Sequence, residues 1–279
     1  MTSDTTPDGG TTLDGGTGIV TGASSGIGRA IAERLGAAGM HVHLTGRTAE
    51  PMDESVARVE AAGGRATATV LDVRDGEKLA AFVDRVAEEA GRLDVMVNNA
   101  GIARNGPILE EATEHSREMF EVNVLALLTG CRAAVGAMRR TGSGGHIVNI
   151  SSIAALRPDS GVYGATKAAV SYLTEGLRQE LEGDDIRITA LLPGVVATNA
   201  VRNFSPEVAE GIGAVTGIPV DFRPGERLPD ATLDAAQQAL EQLIARPEDI
   251  ADAVHHVVSL PRRLNIPSLV VRPAQTLPL

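Results

Sequence analysis

The sequence predicts an α/β fold: a Rossmann-type, doubly wound parallel sheet of about seven strands, with helices on both faces, in a single domain. Three observations carry that prediction. From Thr17 onward, short apolar runs alternate with amphipathic stretches, the rhythm of repeated βαβ units. A glycine-rich turn follows the first apolar run and leads into the first amphipathic stretch. The chain also has 279 residues, 43% of them hydrophobic, which suffices for one large core.

Taken in order, residues 1–15 are rich in Thr, Asp and Gly and almost devoid of apolar side chains, so they are expected to form a disordered tail ahead of a domain over 16–279. The apolar runs place strands at Gly18 to Thr21, His41 to Thr45, Ala66 to Asp72, Val95 to Asn98, His146 to Ser151, Arg187 to Leu192 and Ser268 to Arg272. Leu79, Phe82, Val83 and Val86 fall at i, i+3, i+4 and i+7, which turns one helical face to the sheet. A longer helix, from about Thr113 to Arg139, carries apolar residues on more than one face, so part of it is expected to bury against a partner subunit. Residues 199–246 break the rhythm with glycine and proline. They read as a substrate-binding flap, with Phe204, Ile212, Val215, Ile218, Val220 and Phe222 available to wall a pocket.

Composition removes several classes of function. The net charge is −11 and no Lys/Arg-rich run occurs, so no basic face is available for nucleic acid. Cys131 stands alone and forms no intrachain disulfide, and the first residues lack the pattern of a secretion signal. No stretch reads as about 18 to 20 consecutive apolar residues, so no membrane span is expected and the location is read as cytoplasmic. The six histidines do not cluster with cysteine or carboxylate at ligand spacing, and no metal site is expected.

The turn after the first strand reads Thr21-Gly22-Ala23-Ser24-Ser25-Gly26-Ile27-Gly28. Glycines let the backbone approach a pyrophosphate, and the helix N-terminus offers free N–H groups and partial positive charge. The residue that discriminates between nucleotides is expected at the end of the second strand, where the chain reads Leu44-Thr45-Gly46-Arg47. No carboxylate stands there to accept a ribose 2′-hydroxyl. A guanidinium suited to a 2′-phosphate stands in its place, so NADP(H) is favoured over NAD(H).

Tyr163 and Lys167 lie at i and i+4, on one face of a helix. A nearby ammonium is expected to lower the phenol pKa and make the hydroxyl a usable acid or base. The chain has only two tyrosines and two lysines, so chance supplies such a pair in roughly one chain in 70.

With those residues in place, the chain from about Thr17 to Thr198 resembles the short-chain dehydrogenase/reductase family, in its compact single-domain branch. Thr21 to Gly28 matches TGxxxGxG, and Asp72, followed by Val73, matches the residue that meets the adenine. Asn98-Asn99-Ala100-Gly101 matches NNAG, Asn123 the helix asparagine of a catalytic tetrad, and Tyr163 with Lys167 the YxxxK pair. Ser152 matches the catalytic serine, with the adjacent Ser151 as its competitor, because Ser152 precedes Ile153-Ala154-Ala155 but stands closer to Tyr163 than is common. Pro193-Gly194, with Val196 and Thr198, matches the loop that meets the nicotinamide.

The resemblance implies cofactor contacts from Gly22, Ser24, Ser25, Gly26, Ile27, Gly28, Arg47, Asp72, Val73, Asn99, Ala100, Gly101, Tyr163, Lys167, Pro193, Gly194, Val196 and Thr198. It implies that Tyr163 exchanges a proton with a substrate oxygen, that Lys167 lowers its pKa, that Ser152 polarises a carbonyl and that Asn123 holds a relay water. Asn98 is expected to tie strands together. The function so implied is NADP(H)-dependent reduction of a small ketone or aldehyde, or oxidation of the alcohol. A non-catalytic NADP(H)-binding regulator and a dehydratase or epimerase on the same fold are the alternatives.

Overall fold

The computed structural model describes residues 10–104, 106–196 and 244–274. Seven strands form one sheet: β1 (Thr17–Thr21), β2 (His41–Gly46), β3 (Arg65–Val70), β4 (Val95–Asn98), β5 (Gly145–Ile150), β6 (Ile186–Pro193) and β7 (Ser268–Val271). Their spatial order is β3-β2-β1-β4-β5-β6-β7, and every pairing is parallel. Each expected strand is present, its ends shifted by a residue or two. The order reverses between β1 and β4, and in such sheets the crevice at the carboxyl ends of those strands is where a ligand fits.

Two apolar layers clamp the sheet. On one face lie α1 (Gly26–Ala37), α2 (Ala49–Ala61) and α7 (Pro247–Ser259); Ile31, Leu35, Met52, Val59, Val254 and Val257 pack there against Val20, Leu44 and Val148. On the other lie α3 (Gly76–Ala90), α5 (Ala126–Thr141) and α6 (Gly161–Glu180), with α4 (Thr113–Phe120) leading into α5. Leu79, Phe82, Val83 and Val86 face Ile19, Met96 and Ile147 from α3, as their spacing predicts. Because both faces are covered, the inner strands β1 and β4 are buried throughout, whereas the edge strands β3 and β7 alternate in exposure.

The long helix expected from Thr113 is interrupted. Between α4 and α5 the backbone widens into a π turn over Glu121–Leu125, with Asn123 at its centre. The segment Thr113–Thr141 is long and apolar enough to match a membrane span by length and composition alone, but 56% of its most apolar 18-residue stretch is buried in the fold. Cys131, Ala134 and Met138 of α5 supply core contacts to α3 and the sheet, which accounts for the apolar character.

The N-terminal boundary also moves. Residues 1–9 lie outside the described residues, but residues 10–15, expected with the tail, pack on the domain. Thr11 bonds Ser259 O at 2.9 Å through its N–H and Leu260 O at 2.8 Å through its hydroxyl, and Leu13 enters the α1/α7 core at 7% exposure. One buried leucine and long-range hydrogen bonds from Thr11 and from Gly15, whose N–H donates to Gly39 O at 3.1 Å, hold a segment whose composition alone gives no reason for order. Thr198 and nearly all of the expected flap, including its six wall candidates, lie outside the described residues. The flanks of that segment meet: Ala245 N–H donates to Val195 O at 2.8 Å, and Val196 bridges to Ala245 beyond the end of β6.

Candidate active site

The β1–α1 turn is built by accounting for its carbonyls. Asn99 Nδ2 donates to Thr21 O at 2.9 Å and to Gly22 O at 3.1 Å. The Ser55 hydroxyl donates to Ala23 O at 2.8 Å, and Arg29 donates to Ser24 O at 2.7 Å. Arg29 is buried and held in turn by Ser55 Oγ at 3.0 Å and Glu54 at 2.8 Å. With its carbonyls turned into the protein, the turn leads into α1, which begins with no capping side chain at Ser25 and no acid in its first turn. An uncapped helix start of this kind favours an anion.

Gly22 takes φ +66°, and a Cβ there would lie 2.8 Å from Ala100 Cα. A Cβ at Gly28 would collide with the Asn99 amide and with Gly22 O. Ser24, Ser25, Gly26 and Ile27 remain partly accessible along the turn. The turn therefore sits against the end of β4, and Asn99, expected at the cofactor, spends its amide on holding the turn. Sequence reading missed Arg29 and Ser55. The available signal was a serine at position 55 in the buried stripe of α2 between Met52 and Val59.

Arg47 stands exposed just past β2 and forms no hydrogen bond or ion pair among the described residues. Asp72, beyond β3, is held by Arg74 through its carboxylate, and that bond is the main reason its pKa lies below the usual carboxylate value; Arg47 adds a smaller pull in the same direction. Val73 is packed into the α3 core instead of standing open. Arg74 also approaches Glu118 at 3.8 Å, and Glu118 meets Arg104 at 3.5 Å.

The second half of the site lies beyond β5. Ser151 and Ser152 point opposite ways, which separates the two candidates. Ser151 is buried and donates to Lys167 O at 2.9 Å, with Ser171 Oγ also at 2.9 Å. Ser152 starts a 3₁₀ turn by accepting from Ala154 N–H at 3.1 Å, and its side chain is the one that pulls the pKa of the Tyr163 phenol down. Two short 3₁₀ turns, Ile153–Leu156 and Pro158–Ser160, fill the abbreviated connection to α6.

Lys167 is 5% exposed; its Nζ donates to Ile150 O at 2.8 Å and stands 5.9 Å from the centre of the Tyr163 ring. Burial pulls the ammonium down to about 8. The same effect pushes the Tyr163 phenol up, with the Ser152 hydrogen bond only partly opposing it. Desolvation is the larger of the two effects, so the net shift of the phenol is upward, where the sequence reading set only the pull of Lys167.

Asn123 is 1% exposed. Its Oδ1 accepts from Ile102 N–H at 2.8 Å, and its Nδ2 donates to Ile102 O at 2.9 Å and to Thr166 Oγ1 at 3.0 Å. Its amide is thus committed to protein partners, where the sequence reading gave it a water. Asn98 ties β4 to β5 as expected, donating to Asn149 Oδ1 at 2.9 Å. Pro193 pairs with Val271 at the end of β6, Gly194 N–H donates to Val271 O at 2.7 Å, and Val196 is buried. Among the described residues no three His, Cys, Asp or Glu side chains are grouped to hold a metal ion.

An anion-ready turn and a Ser–Tyr–Lys cluster thus border one crevice of a doubly wound sheet, a layout suited to a dinucleotide and a reacting oxygen. Residues 17–209 match the family model described as short chain dehydrogenase. The chain belongs to that family of oxidoreductases. It is 35% identical over 266 residues to dehydrogenase/reductase SDR family member 11 of Bos taurus, covering 92% of this chain and 95% of the relative. It is 39% identical over 184 residues to the probable oxidoreductase EphD of Mycobacterium tuberculosis, covering 65% of this chain; the chain spans only about a third, 31%, of that relative's length. Among solved structures, a short chain dehydrogenase from Burkholderia cenocepacia in complex with NADP superposes with a TM-score of 0.75 at 33% identity, over 94% of this chain and 98% of that one. Other similar structures hold NADP or NAD, so a nicotinamide cofactor fits the fold.

Proposed function

We propose that the protein is an NADP(H)-dependent oxidoreductase that reduces a ketone or aldehyde of a small substrate to the alcohol, or runs the reverse reaction. The observation that carries this reading is the Tyr163 phenol set beside Ser152 and the buried Lys167, whose Nζ stands 5.9 Å from the centre of the tyrosine ring. The turn from Gly22 to Gly28 would hold the pyrophosphate, Arg47 the 2′-phosphate and Asp72 the adenine edge. Ala100, Gly101 and the Pro193-Gly194 corner, with Val196, would border the rest of the cofactor. Bound there, the nicotinamide supplies hydride to the substrate carbon or accepts it.

The chain's own residues do the remainder. Ser152 positions the substrate oxygen and donates to it. Tyr163 gives that oxygen its proton, the acid form being the one a phenol holds at neutral pH. Lys167 steadies the phenolate as it forms. Exposed Leu125 and Tyr172, at 57% and 82% exposure, support association into a homodimer or homotetramer. A cytoplasmic location belongs to the same reading; the single cysteine, Cys131, is buried and free.

The direct test is titration with NADPH and NADH, followed by turnover of a panel of ketones and aldehydes read at the reduced-cofactor absorbance. Tighter NADPH binding with turnover of a panel member is the expected result. Tight binding with no turnover across a broad panel would move the protein to the regulator class.

A further inference from the structure

Between the two halves of the site runs a buried polar chain that the sequence reading does not contain. Ile102 bonds Asn123 through both its N–H and its carbonyl, Asn123 Nδ2 donates to Thr166 Oγ1 at 3.0 Å, and the Thr166 hydroxyl donates its single proton to Tyr163 O at 2.7 Å. Thr166 is 0% exposed, and no water can take its place at the junction without opening the core. The π turn over Glu121–Leu125 puts Asn123 at this crossing. Gly101 shows how tight the crossing is: a Cβ there would lie 3.3 Å from Asn123 Oδ1 and 3.4 Å from Lys167 Nζ.

We propose that Thr166 is a positioning residue for Tyr163: its hydroxyl fixes the first turn of α6 to Asn123 and through it to the Ile102 backbone, setting where the phenol stands relative to Ser152 and the cofactor crevice. The inference rests on Tyr163 being the proton donor of the proposed reaction. The physical demand is specific to an oxygen at that atom. A hydrogen-bond donor alone would not receive the Asn123 amide, and a methyl would leave a buried N–H unpaired and the Tyr163 carbonyl short of a partner. Serine keeps the oxygen; valine keeps the shape without it.

The chain contains two tyrosines and no tryptophan, so protein labelled at the tyrosine Cζ carbon gives two resonances, assigned with Tyr172→Phe. Thr166→Val is expected to move the Tyr163 resonance in the direction that Ser152→Ala moves it. It should lower kcat by about 10- to 100-fold, the cost of an ångström-scale misplacement, while the Kd for NADPH is unchanged. Thr166→Ser is expected to restore both the resonance and kcat. A wild-type resonance and kcat in Thr166→Val would overturn the proposal, as would a loss of kcat with the resonance unmoved and no recovery in Thr166→Ser. If the valine variant does not fold, Thr166→Ala is read by the same two measurements with the same outcomes. The resonance requires no substrate, so a wild-type protein that turns over no carbonyl overturns the reductase reading and leaves the positioning question decided separately.

Discussion

The site is made of two strand-to-helix junctions built on opposite principles. At β1–α1 the working groups are backbone: side chains from Asn99, Ser55 and Arg29 take up the turn's carbonyls, and the helix begins uncapped. At β5–α6 the working groups are side chains, and the backbone receives the support: Lys167 Nζ bonds Ile150 O, Ser151 bonds Lys167 O and Thr166 bonds Tyr163 O. The difference teaches which kind of change each junction tolerates. The first should fail when atoms are added, because its function is close approach, and the second when atoms are removed, because its function is chemical.

The largest effect is expected at the second junction. Tyr163→Phe removes one oxygen and keeps the ring's packing, so NADPH binding should persist while turnover falls by roughly 10²- to 10⁴-fold, the usual contribution of a placed acid. Comparable turnover in a steady-state assay would break the comparison at its strongest point. Gly22→Ala tests the first junction from the other side. The methyl would stand 2.8 Å from Ala100 Cα on a residue at φ +66°, so binding should weaken and stability fall by about 1–3 kcal/mol, read by titration and denaturant unfolding.

Arg47→Asp sharpens the first junction further, since it leaves the turn untouched and reverses the charge beside the expected 2′-phosphate. NADPH affinity should drop by about tenfold or more and NADH affinity much less; equal losses would remove Arg47 from phosphate recognition. Ser151→Ala is the smallest. Its hydroxyl supports the backbone of α6 and faces away from Ser152, so the variant should lose about 1 kcal/mol of stability and keep its kcat, whereas a collapse of turnover would return Ser151 to the substrate side.

Much of the fold was legible because its signals are local. An apolar run followed by a glycine turn and a 3.6-residue stripe marks a βαβ unit wherever it occurs, and all seven strands fall within two residues of the sequence expectation. Tyr163 and Lys167 were legible for the same reason, since i and i+4 share a helical face. The ordered stretch from Gly10 to Gly15 was not, because its support comes from Ser259 and Leu260 at the far end of the chain.

By itself, then, the sequence determined the element types, their order and the placing of Tyr163 and Lys167 on one helical face, all consequences of spacing along one chain. Only tertiary structure decided that Ser152 and not Ser151 meets Tyr163, that Asn123 bonds Thr166 across 43 residues, that Arg29 and Ser55 brace the turn, and that the phenol is pushed up instead of down. Hydrogen-bond partners and desolvation depend on what distant segments bring to an atom's surroundings, and no periodicity along the chain records that.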